Sequence, residues 1–219
     1  MDTALLSTDA IRRSMGFLTQ METLQLAAAG VLIPDPGSVL ISPGVRVAAG
    51  STLWPNTILQ ATGGGSIAVG AGTVLFPATR MVAAGGRIAI GAGAEIGEEG
   101  GFTIKVDSAT LTAIGDGARL LGGGSLVGPN RIGRGAQILG PIRCQTCTLG
   151  DGGTYRDPEP DERGGVLKGS GVARGIDVPR GHVIQAFGLF AEGILRRQSY
   201  FHPESSRPKS SDPGPAGDG

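Results

Sequence analysis

Apolar residues recur at every sixth position along the middle of the chain. From residue 90 to residue 144, nine of the ten positions in this frame are apolar, and only Ser108 breaks the series. The nine are Ile90, Ile96, Phe102, Ile114, Leu120, Leu126, Ile132, Ile138 and Cys144. An α-helix repeats every ~3.6 residues and a strand every ~2, so neither element produces this spacing. A period of six predicts a solenoid of short strands with a corner after each strand.

The same spacing continues on both sides of this stretch, in other frames. These positions are Ile41, Val47, Leu53 and Leu59, then Val69, Leu75 and Met81, then Val166, Val172, Val178 and Ile184. The residue four places after a frame position is usually small. The solenoid is therefore predicted to span residues 30–186, with about six coils if each coil takes three six-residue units.

The N-terminal segment, residues 1–29, lacks the six-residue pattern and is predicted to be helical. Ser7, Thr8 and Asp9 offer N-caps. Phe17 and Met21, with Leu24 and Ala28, fall on one face of a helix, and Gly16 could divide the segment into two helices.

Three further segments interrupt or follow the pattern. Residues 151–165 are polar and are predicted to form a loop that projects from one corner. Residues 187–202 are rich in apolar side chains, so we expect them to pack back over the last coil or onto a neighbouring subunit. Residues 203–219 are rich in Ser, Pro, Gly and Asp, a composition that predicts a disordered tail.

Composition and charge restrict the function. The chain has 40 glycines among 219 residues, and aromatic residues make up only 4%, so the core must consist of thin aliphatic layers. Nineteen basic and nineteen acidic residues give no net charge, and no basic stripe points to nucleic acid. No apolar run is long enough for a membrane span and no signal pattern is evident, so we expect a cytoplasmic protein without a membrane partner.

The two cysteines are separated by two residues, as Cys144-Gln-Thr-Cys147. A redox pair of this kind belongs at the start of a helix, whereas these cysteines lie within the six-residue pattern. Because Cys144 occupies a frame position, a buried and unreactive thiol is the favoured interpretation.

The period of six, the small residue four places on, and corners such as Ile90-Gly91-Ala92-Gly93 resemble the hexapeptide-repeat acyltransferase superfamily. The stretch from Gly30-Val31 to Asp35-Pro36, entered from a helix, is similar to the start of the acetyltransferase half of the bifunctional enzyme that makes UDP-N-acetylglucosamine. The resemblance implies a left-handed parallel β-helix, usually trimeric, with acyl-CoA as co-substrate. It covers roughly residues 31–150 and 166–186.

The chain also departs from that family. No Gly-rich nucleotide loop precedes residue 30, so a nucleotidyltransferase function would need a separate partner subunit. The His-Leu-Ser-Tyr and Asn-Tyr-Asp-Gly stretches of the acetyltransferase site do not occur. Only His182 and His202 are present, which excludes the three-histidine zinc site of the carbonic-anhydrase-like branch and predicts no metal.

The candidate catalytic residues are His182, Tyr155 and Arg156. His182 could act as a general base that deprotonates the acceptor, or could be a structural corner residue hydrogen-bonded to the backbone. Tyr155 and Arg156 lie in the loop and could orient an acceptor or hold its phosphate or carboxylate group, or could simply be solvated. His202 and the Glu98-Glu99 corner are weaker alternatives.

Lys168, Arg174 and Arg180 are candidate ligands for acyl-CoA, because the resemblance implies that basic residues of the last coil bind its pyrophosphate. Surface charge alone also explains them. Three classes of function therefore stay open. One is an acyltransferase that acts on a sugar or other small acceptor, between the subunits of a homotrimer. The second is a non-catalytic trimeric β-helix that binds a metabolite or a partner protein. The third is a function linked to sugar nucleotides, with a separate nucleotidyltransferase subunit as partner.

Overall fold

The computed structural model describes residues 7–202. Two helices open this range, α1 (Thr8–Ser14) and α2 (Gln20–Ala28). The strands follow in chain order as β1 (Leu40–Ile41), β2 (Val45–Val47), β3 (Thr52–Leu53), β4 (Ile58–Thr62), β5 (Ser66–Val69), β6 (Val74–Leu75), β7 (Arg80–Ala84), β8 (Arg87–Ile90), β9 (Glu95–Ile96), β10 (Thr103–Asp107), β11 (Leu111–Ile114), β12 (Arg119–Leu121), β13 (Ser125–Val127), β14 (Asn130–Ile132), β15 (Gln137–Leu139), β16 (Ile142–Gln145), β17 (Thr148–Leu149), β18 (Val166–Arg174), β19 (Asp177–Val178), β20 (His182–Leu189) and β21 (Leu195–Arg197). Short 3₁₀ helices cover Pro160–Glu162, Phe190–Glu192 and Gln198–Phe201.

The strands stack in three parallel ladders, in which each strand pairs with the third strand after it along most of the chain. The first ladder is β1-β4-β7-β10-β13-β16 and the second is β2-β5-β8-β11-β14-β17-β19. The third ladder is β3-β6-β9-β12-β15, and the long strand β18 joins it to the first ladder. This predominantly parallel β-structure is consistent with the predicted solenoid.

The core is a set of apolar columns that run along the inside of the ladders. In the third ladder, Ile96, Leu120, Ile138 and Leu167 stack on one another and are all fully buried. All nine apolar residues of the central frame are buried, and Ser108 is exposed. The six-residue pattern therefore identified the inward-facing positions in this part of the chain.

The stacking register differs from a strict six-residue repeat at two places. Phe102 is buried, but the residue that stacks on Met81 and Leu126 is Ile104, because the corner before it is two residues longer. In β18, after the loop, the frame prediction was wrong by one residue, whereas Val178 and Ile184 of the same frame are buried as predicted. Leu167 and Ala173 are the fully buried members of β18, in place of Val166 and Val172.

The N-terminal helices are tied to the first strands by one buried arginine. The Arg12 guanidinium donates to the carbonyl oxygens of Leu18 and Val39, at 2.8 and 2.6 Å, and to Thr23 Oγ1 at 3.2 Å. Ser7 caps α1, as its sequence position predicted. Helix α2 begins with a capping box between Thr19 and Glu22.

The predicted apolar face of these helices was only partly right. Phe17 is buried, but Met21 is 63% exposed and Leu24 is also exposed. Thr23 is the buried residue of α2, because it bonds to Arg12 and to the carbonyl oxygen of Thr19. Packing around the buried arginine therefore outweighs the apolar pattern.

The segment 187–202 folds back on the last strands, although only part of its apolar surface is covered. Strand β21 pairs antiparallel with β20, and Phe190 is fully buried. Phe187, by contrast, is 78% exposed, and Ile194 and Tyr200 are also exposed. The predicted disordered tail, 203–219, lies outside the described residues.

Candidate functional site

A cavity of about 270 Å³ lies where the loop 151–165 meets the outer surface of the third ladder. Its floor is formed by outward-facing residues that the strand register stacks in two adjacent rows. Arg119, Gln137 and Val166 form one row, and Leu139 stacks on Lys168 in the other. Because side chains alternate along a strand, these residues flank the inward column on either side.

The loop forms one wall of this cavity through Tyr155 and Arg163. The Arg119 guanidinium carbon lies 4.0 Å from the centre of the Tyr155 ring, and that of Arg156 lies 4.9 Å from it. Such cation–π contacts hold an aromatic ring in place at the surface. Arg163 donates from Nε and Nη2 to the carbonyl oxygen of Asp157, at 2.8 and 2.7 Å, so its side chain is fixed by the loop itself.

The C-terminal segment also lines the cavity, with Gln198, Phe201 and His202. It is attached to the loop by Asp161, whose carboxylate accepts hydrogen bonds from Ser199 N and Oγ, both at 3.0 Å. The bond from the Ser199 backbone lowers the pKa of Asp161. Loop and C-terminal segment thus form a single rim around the cavity.

The cavity is electropositive. Arg119 is neutralised by Glu95, at 2.8 Å, and by Glu98, at 3.6 Å. Arg163 and Lys168 have no carboxylate within 4 Å among residues 7–202, and no Asp or Glu lines the cavity. Two cations therefore face the cavity without a counter-ion from the described chain.

Two of the predicted site residues, Tyr155 and Lys168, lie together on the cavity. Arg156 lies beside Tyr155 but does not line the cavity. Arg174 bonds to Gln145 in the first ladder, with 3.0 Å between Nε and Oε1. The three predicted cofactor cations thus do not converge, because Arg180 also lies off the cavity, in an ion pair with Glu162.

His182 does not line the cavity either. It begins β20, it is half-buried, and its Nδ1 lies 2.8 Å from the carbonyl oxygen of Arg180. This is the backbone-bonded corner arrangement that the sequence left open as an alternative to a catalytic base. His202 is the histidine that lines the cavity. Glu98, the weaker carboxylate candidate, is paired with Arg119.

Both cysteines are buried free thiols. The Cys147 side chain contacts the carbonyl oxygens of Gln145 and Ala173, at 3.4 and 3.3 Å. The neighbouring Cys147 thiol, together with burial, raises the pKa of Cys144, so that thiol stays protonated at neutral pH. The geometry agrees with a packing role for Cys144.

Sequence reasoning missed five polar residues that line the cavity: Arg119, Gln137, Arg163, Gln185 and Gln198. Arg119 and Gln137 could have been predicted from the six-residue pattern, because each precedes a frame residue and therefore points outward. A row of polar residues one place before the frame was the available signal. Arg163 and Gln198 carried no such signal, since the fold of the loop and of the C-terminal segment places them.

A second, larger hollow of about 580 Å³ lies at the C-terminal end and shares Phe201 and Gln185 with the first. Its walls include the exposed side chains of Phe187, Ile194 and Tyr200. Arg196 stacks on the Tyr200 ring at 4.4 Å. Gln185, Glu192 and Arg196 also line this hollow, so its surface is mixed and not purely apolar.

No protein-family model matches this chain, and no curated protein matches it in sequence. Within residues 7–202, no group of three or more His, Cys, Asp or Glu side chains is placed to hold a metal ion. Neither helix of that range is long and apolar enough to cross a bilayer.

Proposed function

We propose that this protein transfers an acetyl or other acyl group from acyl-CoA to a sugar or another small acceptor, and that the acceptor binds in the cavity beside the loop. One observation carries the proposal. The insertion in the solenoid folds onto a ladder and borders a largely apolar cavity in which a few polar groups, Tyr155 and Lys168 among them, come together. A cavity with a few convergent polar groups, at a loop on a regular scaffold, is the usual form of a small-molecule site.

The proposed reaction needs a group that removes a proton from the acceptor. As its nitrogen or oxygen attacks the thioester carbonyl, a C–N or C–O bond forms and the C–S bond breaks. The acceptor proton passes to the base, and CoA leaves and is protonated to the thiol. His202 is the better base of the two histidines, because it lines the cavity and imidazole titrates near neutral pH. Tyr155 would orient the acceptor.

The proposal includes a left-handed β-helix of about six coils that assembles as a homotrimer. Exposed apolar side chains at both ends of the described chain support assembly, since isolated subunits rarely leave so many uncovered. They include Met15 and Met21 at one end and Phe187 and Ile194 at the other. Sedimentation equilibrium should give three chains per particle, and a monomer at micromolar concentration would contradict the assembly.

A non-catalytic β-helix that binds a metabolite is the second candidate. The observation that favours it is His182, whose Nδ1 is occupied by the Arg180 carbonyl oxygen and whose ring lies off the cavity. In this case the cavity would bind its ligand without transferring a group. A nucleotidyltransferase partner subunit stays a prediction from the sequence.

Calorimetric titration with acetyl-CoA and with free CoA at low ionic strength tests the proposal. We expect saturable binding of about one molecule per chain to both ligands. The control variant Lys105→Gln should bind both ligands as the unmodified protein does, because Lys105 is an exposed lysine of the first ladder, away from the cavity. Absence of heat with either ligand, at two temperatures, would favour the non-catalytic candidate.

His202→Gln separates the two candidates once an acceptor has been found. If His202 is the base, the variant should bind acetyl-CoA normally and release CoA about a hundredfold more slowly, with His182→Gln as the matched histidine control. Equal rates in all three proteins would contradict the assignment.

A further inference from the structure

Gln137 brings a side-chain amide to the cavity. The residue is only 6% exposed, and its amide makes no hydrogen bond to any residue between 7 and 202. No buried side-chain N or O atom in that range lacks a partner, so the Gln137 amide is not sealed inside the core. Because Gln137 lines the cavity, its amide is placed to form hydrogen bonds with a ligand there.

The cations of the cavity indicate the charge of that ligand. Lys168 stacks on Leu139, which lies two residues after Gln137 in β15. It has no carboxylate partner in the described chain. Arg163 uses Nε and Nη2 to hold the loop, which leaves its Nη1 donors. Guanidinium, ammonium and amide groups that line one cavity suit an oxyanion.

We infer that the cavity binds a small oxyanion, of the phosphate or carboxylate class, held by Lys168 and Arg163 and hydrogen-bonded by Gln137. That this anion is part of the acceptor rests on the proposed function. Arg119 does not supply charge to it, since Glu95 and Glu98 neutralise that residue; its role is to hold Tyr155 against the rim.

The inference is tested by calorimetry with inorganic phosphate, with acetate and with uncharged glucose, at low ionic strength. Phosphate or acetate should bind saturably, and glucose alone should not. Lys168→Gln should weaken binding about tenfold or more, Lys168→Arg should retain it, and Lys105→Gln should leave it unchanged. Loss of one charge-assisted hydrogen bond gives an effect of this size.

Gln137→Leu is the second variant, because it keeps the volume of the side chain and removes the amide. It should fold with an unchanged circular dichroism spectrum and bind the anion several-fold more weakly. Normal anion binding in both Gln137→Leu and Lys168→Gln would overturn the inference. So would the absence of phosphate and acetate binding in the unmodified protein.

A competition arm separates the anion of an acceptor from the phosphates of CoA. Phosphate affinity that is unchanged in the presence of saturating CoA supports an acceptor site, whereas displacement by CoA overturns that assignment. Phosphate binding without any CoA binding would leave the oxyanion site standing and remove acyl transfer. CoA binding without phosphate or acetate binding would leave the acyl-transfer proposal standing and overturn the oxyanion site.

Discussion

Replacement of Gly70 by alanine tests how closely the corners of the solenoid stack. Gly70 and Gly72 belong to one corner, between β5 and β6, yet they face different surroundings. A Cβ on Gly70 would press on the carbonyl group of Gly91 and would lie 2.7 Å from the backbone nitrogen of Ala92. All of these atoms are backbone of the next corner, so no side chain can rotate away.

Gly72 is the matched control in the same corner. It has a φ of +68°, and a Cβ there would meet nothing within 4 Å. A left-handed conformation is unfavourable for alanine by about 1–2 kcal/mol, and the stiffer unfolded chain offsets about 0.4–1 kcal/mol of this. We therefore expect Gly72→Ala to lower the free energy of unfolding by about 1 kcal/mol. Gly70→Ala must move backbone, and we expect a loss of about 3 kcal/mol.

Urea unfolding at 25 °C, followed by circular dichroism, measures both variants. The midpoint should fall clearly further for Gly70→Ala than for Gly72→Ala, with similar slopes. Equal stability of the two variants would refute the reasoning, because close stacking of corners would then not be what excludes a side chain at Gly70. A less stable Gly72→Ala would refute it as well.

Three further predictions concern the core, the helices and the rim. Leu120→Ala should lower the free energy of unfolding by about 3 kcal/mol in urea, because Leu120 is fully buried. Arg12→Met should cost about 2 kcal/mol by the same assay, since it leaves the carbonyl oxygens that Arg12 bonds without a donor. Asp161→Asn should speed amide hydrogen exchange at Ser199 at pH 7. The pKa of Asp161 is lowered, so its carboxylate stabilises the rim at neutral pH, and the difference from the variant should vanish as the pH falls through that pKa.

The inward positions could be predicted from sequence because each ladder has a thin aliphatic column with regular spacing. The frame through Leu120 and Ile138 is regular, and both residues are buried where they were expected. The pattern did not show how the spacing changes at the loop. Arg119 and Gln137 stack with 18 residues between their positions, whereas Gln137 and Val166 stack at a spacing of 29. An insertion resets the register, and only the hydrogen bonds of the folded ladder fix it again.

The candidate site was predictable only in part, for the same reason. Tyr155 and Lys168 were singled out by their place in the insertion and in the last coil, and they do meet on one cavity. Arg174 lies at the far end of the same strand as Lys168, where β18 pairs with the first ladder, and Arg180 lies in the corner between β19 and β20. Residues close in sequence diverge around a solenoid, whereas residues 18 to 29 apart converge along a ladder.

A crystal structure of the protein grown with CoA and sodium phosphate would test the central claim most directly. The account predicts density for an oxyanion beside Lys168 and Gln137, with CoA bound next to the loop near Tyr155. Ligand density at another surface, with the cavity holding only water at saturating phosphate, would contradict it.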